Sequence, residues 1–335
     1  MEKRVIAYVA DWSFLEDIQP AQARLLTHVN YAFGLIRDGE VSVAHAGQWG
    51  RMARMRMQYP HLKVNLSIGG WGADGFSQAV ATREGRERLA CSALHVLKNW
   101  QLDGIDWDWE YPGSSAAGIA SHPEDPRRMT ELLSLMREML DDYGRETGRY
   151  YEQSIAVGAE RVHDYIWERA MPALDTVNLM TYDMSMPGAC GHVTNVYKAE
   201  TAAYSVEESV RDFAACGISR EKLLLGAAFY CHAYAGVQLP RPMGKPCEKR
   251  QKSLPHDAID ETWAYHWDDQ AGAAYWLKGN TALTGDDEHS LSLKRKFIEE
   301  EGLGGVIIWE LSHDRKNLLL PVLADEGVCP ALNNG

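Results

Sequence analysis

DGIDWDWEYPG, residues 103–113, places a carboxylate at every second position, at Asp106, Asp108 and Glu110. Ile105, Trp107 and Trp109 occupy the alternate positions. A period of two is typical of a strand, so the stretch predicts a strand with one acidic and one apolar face. Like charges spaced about 7 Å apart along one face repel each other. The pattern therefore indicates either a solvated edge strand or carboxylates placed together for a function.

The composition is typical of a globular protein with a large core. The 335 residues are 45% hydrophobic and 24% charged. This length fits two domains or one α/β barrel with insertions. The formal net charge of -13 argues against nucleic acid and anionic membrane surfaces as partners. The apolar runs are too short to span a bilayer, and the sequence indicates no obligate protein partner.

The N-terminal stretch MEKRVIAYVADW lacks the long apolar segment of a signal peptide and runs directly into a strand pattern. We therefore expect a cytoplasmic protein from the sequence as written, or a secreted one if a leader precedes it. The six cysteines are scattered, without a C-x-x-C pair and without histidines at ligand spacing. They indicate isolated buried thiols, and we expect no metal and no cofactor.

Eight short, mostly apolar runs recur along the chain. They are residues 4–10, 27–36, 62–70, 103–110, 153–160, 176–183, 222–230 and 304–311. Such runs are typical of parallel strands buried on both faces. Because helical segments separate them, they predict an α/β fold, a (β/α)8 TIM barrel. A doubly wound sheet is the alternative, but SIGGWG (67–72) lacks the G-x-G-x-x-G order of a dinucleotide site.

Helix signals lie between these runs. Residues 86–100 and 126–142 carry apolar stripes at helical spacing. Ser205 predicts the N-cap of a third helix within a capping box, and Ser290 predicts the N-cap of a fourth.

One connection is much longer than the others. After the seventh run the sequence becomes polar, Pro-rich and aromatic, which predicts a small added subdomain. It follows a strand at the carboxyl end of the barrel, where active sites of this fold are built. We expect one catalytic barrel domain, residues 1–335, with a small insertion at 231–285.

The predicted barrel gives the acidic strand a direction. Its bulky apolar face belongs against the helices, so Asp106, Asp108 and Glu110 are expected to point inward, with Glu110 nearest the carboxyl-terminal mouth. Stacked buried carboxylates cannot all stay ionised, so at least one pKa is expected to be raised. A glutamic acid that stays protonated near neutral pH is what a general acid requires.

The pattern D-x-x-D-x-D-x-E, from Asp103 to Glu110, resembles the signature of glycoside hydrolase family 18, the chitinase family. Further stretches are similar to that family's motifs, in the same order, over nearly the whole chain. They are SIGGW (67–71), NLMTYDM (178–184), GHVTNVY (191–197), EKLLLGAAFY (221–230) and GLGGVIIWELSHD (302–314). The resemblance implies a TIM barrel and a retaining hydrolase of chitin or chito-oligosaccharides, whose partner is a substrate containing N-acetylglucosamine.

The resemblance also implies substrate-assisted catalysis, in which the substrate's 2-acetamido oxygen attacks the anomeric carbon. Glu110 would protonate the glycosidic oxygen and later activate water. Asp108 would hold the acetamido N–H, and Asp106 would share a proton with Asp108. Tyr182 would donate its hydroxyl to the acetamido oxygen. Asp103 is a structural residue in the family.

A substrate-binding shell follows from the same resemblance. Trp309 is implied as the floor under the sugar, although its position alone suggests a core aromatic, and Met180 could equally fill the core. The implied shell is Tyr8, Phe33, Gly70, Trp71, Tyr111, Met180, Asp183 and Trp309. The aromatic residues of the insertion fit an α+β subdomain that forms one wall of the cleft. They are Trp263, Tyr265, Trp267, Tyr275 and Trp276.

Three positions depart from the family pattern. Where chitinases usually have Phe-Tyr-Gly-Arg after the seventh strand, this chain has Cys231 and His232 at the last two positions. Gly285 replaces the tyrosine of a Tyr-Asp-Asp motif before the last helix. The contacts beyond the scissile bond, the chain-length preference and the choice between exo and endo action are therefore left open.

Two alternative functions also stay open. An endo-β-N-acetylglucosaminidase acting on N-glycan or peptidoglycan sugars would use the same fold, and a chitin-binding lectin would bind oligomers without cleaving them. Lectins of the family typically lack the terminal acid, so Glu110 favours catalysis. A metal-dependent hydrolase would need inward histidines at strand ends, whereas His28 lies near a strand start and His192 in a loop.

Overall fold

The computed structural model describes residues 3–250 and 253–324. Eight parallel strands surround its centre, and a short ninth strand, β3 (Glu40–Ser42), pairs antiparallel with the second. The eight are β1 (Arg4–Ala10), β2 (His28–Arg37), β4 (Lys63–Gly69), β5 (Gly104–Asp108), β6 (Glu152–Gly158), β7 (Thr176–Met180), β8 (Leu223–Ala228) and β15 (Gly305–Trp309). They lie in the order β1-β15-β8-β7-β6-β5-β4-β2, and β1 pairs with β2 to close the barrel. The predicted (β/α)8 TIM barrel is confirmed.

Helices surround the barrel and cover the outer faces of its strands. They are α1 (Pro20–Leu25), α2 (Trp49–Gln58), α3 (Phe76–Ala79), α4 (Arg83–Trp100), α5 (Asp125–Thr147), α6 (Trp167–Ala170), α7 (Val206–Ala215), α8 (Glu288–Glu300) and α9 (Leu320–Leu323). Ser205 caps α7 as predicted, because its hydroxyl accepts the backbone N–H of Glu208. The cap predicted for α8 is wrong. Asp287 is the N-cap, and Ser290 is its N3 partner in a capping box.

A second sheet follows the seventh barrel strand. Its strands are β9 (Tyr230–Ala235), β10 (Lys249–Arg250), β11 (Leu254–Pro255), β12 (Ala264–Asp268), β13 (Ala273–Lys278) and β14 (Thr281–Gly285). It is antiparallel, with β9 between β10 and β14. One predicted aromatic of this segment, Trp276, is buried in the sheet's own apolar cluster, whereas Tyr265 is exposed. The division into one domain, 1–335, with an insertion at 231–285 stays a prediction, and residues 325–335 lie outside the described part.

The two faces of β5 point as the alternation predicts. Trp107 and Trp109 are fully buried in the layer between strands and helices. The ring of Trp109 stacks on Phe76 at 5.0 Å, and the indole N–H of Trp107 donates to Gln153 at 3.1 Å. The carboxylates of β5 therefore face the barrel interior. Among the described residues, no helix combines the length and the hydropathy needed to cross a membrane.

The opposite, amino-terminal end of the barrel is held by a buried carboxylate. Glu152 begins β6 and is 6% exposed. Its oxygens pair with Nε2 of His28 at 2.9 Å, with the guanidinium of Arg4 at 3.5 Å, and with the ammonium of Lys63. Burial raises the pKa of Glu152, but His28, Lys63 and Arg4 outweigh it and lower the pKa to about 2.

We expect Glu152→Gln to lower the free energy of unfolding by about 2–3 kcal/mol at pH 7. Because the folded-state pKa of Glu152 lies below its ordinary value, its stabilisation is present above pH 4.5 and lost as the pH falls toward 2. Urea unfolding at pH 7 and pH 3 measures this, with the exposed Glu168→Gln as control. An equal deficit of Glu152→Gln at both pH values would contradict the assignment.

Candidate active site

A cleft of about 570 Å³ opens at the carboxyl-terminal mouth of the barrel. Every predicted site residue except Asp106 lines it. These lining residues are Tyr8, Phe33, Gly70, Trp71, Asp108, Glu110, Tyr111, Met180, Tyr182, Asp183 and Trp309. They lie on or just after several different strands, so the barrel's closure is what brings them together.

Asp106 lies below the cleft, at the centre of the barrel, and is fully buried. One carboxylate oxygen accepts hydrogen bonds from the hydroxyls of Tyr8 at 2.9 Å and Ser67 at 2.7 Å. The other accepts from Ser154 at 2.6 Å and from the amide of Asn178 at 3.0 Å. Burial raises the pKa of Asp106, and these four donors oppose the rise. Four different strands thus fix this carboxylate, and its proton sharing with Asp108 stays a prediction.

Asp108 lies next along the strand and ends it, 4% exposed. Its Oδ1 atom is buried and has no hydrogen-bond partner among the described residues. Burial raises the pKa of Asp108 well above its ordinary value, and the charges of Glu110 and Asp106 raise it further. A buried acceptor without a partner at the bottom of a cleft is a ready site for an N–H donor of a ligand.

Glu110 lies two residues after Asp108, just beyond the end of β5. Burial raises its pKa to about 7, the charge of Asp183 adds to the rise, and a hydrogen bond with Tyr111 opposes it. Near neutral pH the carboxyl group is therefore divided between its protonated and ionised forms. Such a group can donate a proton in one step and accept one in the next.

Tyr182 reaches the same point from the loop after β7. Burial and the charges of Asp108 and Glu110 raise the pKa of Tyr182 well above its ordinary value, so its hydroxyl remains a donor. Its ring passes so close to Gly226 that a β-carbon there would lie 2.8 Å from it. Carboxyl groups from β5 and a hydroxyl donor from the loop after β7 thus converge.

The next residue, Asp183, has a left-handed backbone with φ of 59°. Its Oδ1 lies 2.8 Å from Nε2 of His232, a side chain that is 1% exposed. His232 occupies the position where the family pattern has an arginine. The departure seen in the sequence therefore replaces the arginine with a buried imidazole paired to a cleft carboxylate.

Aromatic rings form two walls of the cleft. Trp309 and Phe33 are stacked with ring centres 5.7 Å apart, and Tyr8 lies 5.9 Å from Trp309. On another side, Trp71 is 65% exposed and meets Tyr111 edge-on at 6.3 Å. Flat apolar surfaces of this kind fit the faces of sugar rings while carboxylates hold their polar edges.

We expect Gly70→Ala to lower kcat/KM at least tenfold. Gly70 has φ of +94°, and a β-carbon there would lie 2.6 Å from the ring of Phe33, so the ring must move. Gly118→Ala is the matched control, because its φ is +75° and nothing lies within 4 Å. It shares the backbone strain without the collision. Similar kcat/KM in the two variants would show that the Phe33 position is unimportant.

Sequence reasoning missed several residues that line the cleft. They are Trp12, Leu35, Arg37, Asp74 and Glu160. Leu35 and Arg37 lie two and four residues after Phe33 on β2. A period of two places them on the same face of the strand as Phe33, so this rule could have found them. Asp74 and Glu160 lie on loops, where no periodic pattern indicates direction.

Two departures from the family pattern face each other. Cys231 and Gly285 are paired in register between β9 and β14. A β-carbon at Gly285 would lie 2.6 Å from the sulfur of Cys231 and 2.9 Å from the carbonyl oxygen of Tyr230. The thiol thus occupies the space that a side chain at position 285 would need.

In the described part of the chain, no three histidine, cysteine or carboxylate side chains are grouped so that they could hold a metal ion. The site's carboxyl groups instead face one another, a hydroxyl and aromatic rings.

Comparison with known proteins identifies the family. The sequence model for glycosyl hydrolases family 18 matches residues 4–314. Chitinase A1 of Niallia circulans is 31% identical over 307 residues, which cover 82% of this chain and 44% of that protein. The chain thus spans less than half the length of that relative.

Solved structures agree. A family 18 N-acetylglucosaminidase from Paenibacillus barengoltzii superposes with a TM-score of 0.91 at 35% identity, covering 96% of this chain and 99% of that one. The chitinase ChiW from Paenibacillus sp. str. FPU-7 superposes with a TM-score of 0.88 at 31% identity, covering 98% of this chain and 43% of that one. The chain belongs to glycosyl hydrolases family 18.

Proposed function

We propose that this protein is a retaining hydrolase of β-1,4-linked N-acetylglucosamine chains, such as chitin and chito-oligosaccharides. The observation that carries the proposal is the group at the cleft bottom. Glu110 has a pKa of about 7, and beside it lie the unpaired buried oxygen of Asp108 and the hydroxyl of Tyr182. These three groups match the demands of substrate-assisted cleavage.

In the first step, protonated Glu110 donates its proton to the glycosidic oxygen, and the bond from that oxygen to the anomeric carbon breaks. The acetamido oxygen of the same sugar attacks the anomeric carbon from the opposite face. Asp108 accepts the acetamido N–H and stabilises the positive charge of the cyclic intermediate, while Tyr182 donates to the acetamido oxygen. Ionised Glu110 then removes a proton from water, which opens the ring with net retention.

The charge of the cleft favours a neutral glycan over an anionic one. Among the described residues, five acidic side chains line it, of which Asp108 and Glu110 have raised pKa values, against the single arginine Arg37. They are Asp74, Asp108, Glu110, Glu160 and Asp183. Peptidoglycan strands carry carboxylates on their peptide stems, or on their lactyl groups where the stems are removed, and this surface repels them, so chito-oligosaccharides are the preferred substrate class over peptidoglycan sugars.

Release of single sugars from chain ends is a second candidate. It is supported by the Paenibacillus barengoltzii N-acetylglucosaminidase, whose chain this one covers to 99%. The modest cleft volume of about 570 Å³ agrees with a short binding site.

One experiment tests both candidates. The protein is incubated with N-acetylglucosamine oligomers of two to six units and with glucose oligomers of equal length, and product masses are followed over time. Cleavage of the acetylated series alone supports the proposal. Early appearance of the monomer from every oligomer identifies exo action, whereas dimers and trimers identify endo action. Binding without cleavage would make the protein a lectin, and cleavage of both series would contradict substrate assistance.

We expect kcat/KM to fall about tenfold per pH unit above pH 7, because the general acid Glu110 must be protonated. Since the charge of Asp183 raises the pKa of Glu110, Asp183→Asn is expected to move this alkaline limb to lower pH. A pH profile of kcat/KM for both proteins measures the shift. An alkaline limb of Asp183→Asn at the same or higher pH would contradict the assignment.

A further inference from the structure

A buried carboxylate outside the proposed chemistry lies directly behind the aromatic wall of the cleft. Glu310 follows Trp309, is 2% exposed and does not line the cleft. Burying a carboxylate is costly unless hydrogen bonds compensate, so such a residue needs a structural or functional reason.

Four groups satisfy this carboxylate. Oε2 of Glu310 accepts the backbone N–H of Ala10 at 3.1 Å and the hydroxyl of Ser13 at 2.9 Å. Oε1 accepts the hydroxyl of Ser312 at 2.7 Å, and Nε2 of His313 lies 3.3 Å away. One oxygen thus serves the segment after β1, and the other serves the turn after β15.

The carboxylate spans a gap between two strands. β1 and β15 pair in parallel only as far as Ala7 and Ile308, although β1 itself continues to Ala10. At the mouth of the barrel the N–H of Ala10 therefore has Glu310 as its acceptor in place of a backbone carbonyl of β15. Where the two strands separate, the carboxylate of Glu310 thus replaces the inter-strand hydrogen bond that Ala10 would otherwise make.

Trp12 lies between two anchored neighbours on this segment. Asp11 accepts the backbone N–H of Gln48 at 2.7 Å, and Ser13 donates to Glu310. The Trp12 side chain itself is 63% exposed, yet its ring lies 6.4 Å from that of Trp309. A large exposed ring on a loop loses conformational freedom when held in one place, so its anchors decide whether it is in place before a ligand binds.

We propose that Glu310 is a positioning residue that holds Trp12 beside Trp309, so that this wall of the cleft is assembled before the sugar arrives. It acts through the hydroxyl of Ser13 and the backbone of Ala10. The inference rests on the proposed function for its substrate, an N-acetylglucosamine oligomer. Its consequence is a binding effect, since Glu310 touches neither the reacting sugar nor Glu110.

A double-mutant cycle tests the proposal with chitotetraose as substrate. We expect Glu310→Gln to raise KM about tenfold and to leave kcat within about twofold. In this variant the segment that carries Trp12 becomes ordered only when the substrate binds, which lowers the affinity. Ser13→Ala removes a single link and is expected to raise KM about threefold. In a Trp12→Ala background, Glu310→Gln is expected to change KM less than about twofold, since the ring to be held is gone. Glu299→Gln, an exposed glutamate of α8, is the matched control.

A merely structural role gives different results. Equal changes in KM with and without Trp12, or a loss of kcat without a change in KM, would overturn the proposal. Hydrogen exchange of the free protein adds a readout that needs no substrate. Glu310→Gln is expected to speed amide exchange in residues 10–15 at least tenfold, and unchanged exchange there would also overturn it. If the wild type cleaves no N-acetylglucosamine oligomer, the proposed function fails, while the exchange experiment still decides the role of Glu310.

Discussion

Glu110→Gln is expected to lower kcat on chitotetraose by a factor of about 10² to 10⁴, the usual contribution of a positioned general acid. Glutamine keeps the size of the side chain but has no proton to donate to the glycosidic oxygen. Binding is expected to persist, because Asp108, Tyr182 and Trp309 are untouched. Steady-state kinetics and calorimetric titration on the same preparation separate the two effects.

The same substitution is expected to increase the free energy of unfolding, although it lowers the activity. The folded-state pKa of Glu110 is about 7, above its ordinary 4.5, so the folded state loses stability as the pH rises through this interval. At pH 8 Glu110→Gln is expected to be more stable than the wild type by about 2–3 kcal/mol, and at pH 4 by much less. The exposed Glu168→Gln is the control for both measurements. A variant that keeps more than a tenth of kcat would remove Glu110 from the acid role.

Asp108→Asn is expected to lower kcat by a factor of about 10² to 10³, the cost of losing one preorganised stabilising group. Asparagine is nearly the same shape, but it cannot carry the negative charge that stabilises the cyclic cation. Its amide hydrogens also face the acetamido N–H when the side chain is turned that way, so KM is expected to rise. Kinetics on chitobiose and chitotetraose measure both parameters.

The control for this variant is Asp269→Asn, an exposed aspartate in the turn after β12. It removes the same charge without touching the cleft. A fall in kcat of less than about threefold for Asp108→Asn would show that Asp108 does not stabilise the cyclic cation. The substrate-assisted pathway would then need another anion.

The sequence predicted the barrel and the inward carboxylates well, because both follow from short-range periodicity. The apolar runs could be counted directly, and the alternation of carboxylates with tryptophans fixed which face of β5 turns inward. The position of Glu110 at a strand end then placed the site at the mouth.

The environment of the carboxylates could not be predicted in the same way. Two of the four donors to Asp106 come from Tyr8 and Asn178, which are 98 and 72 residues away in the chain. No local pattern shows that they meet, because only the barrel's closure brings β1, β5 and β7 together. The pKa of Glu110 depends on the same long-range packing.

Local competition explains the smaller errors. Ser290 has the right residue type for a cap, but Asp287 three positions earlier accepts the backbone N–H of Ser290, and the hydroxyl of Ser290 accepts the N–H of Asp287 in return. Trp12 lies beyond the end of β1, where no period indicates the direction of a side chain. Its contact with Glu310 runs through Ser13, and Glu310 lies near the other end of the chain.

The tight contact between positions 231 and 285 also constrains how this sequence can have diverged. In the family pattern a glycine precedes the arginine and a tyrosine precedes the two aspartates, the reverse of the small and large residues here. With 2.6 Å between a β-carbon at Gly285 and the sulfur of Cys231, a tyrosine at position 285 and a cysteine at position 231 collide in this backbone unless one of them moves. The two positions are therefore coupled: grafting the family's tyrosine alone at position 285 creates an overlap with the thiol, whereas grafting its glycine alone at position 231 leaves a gap.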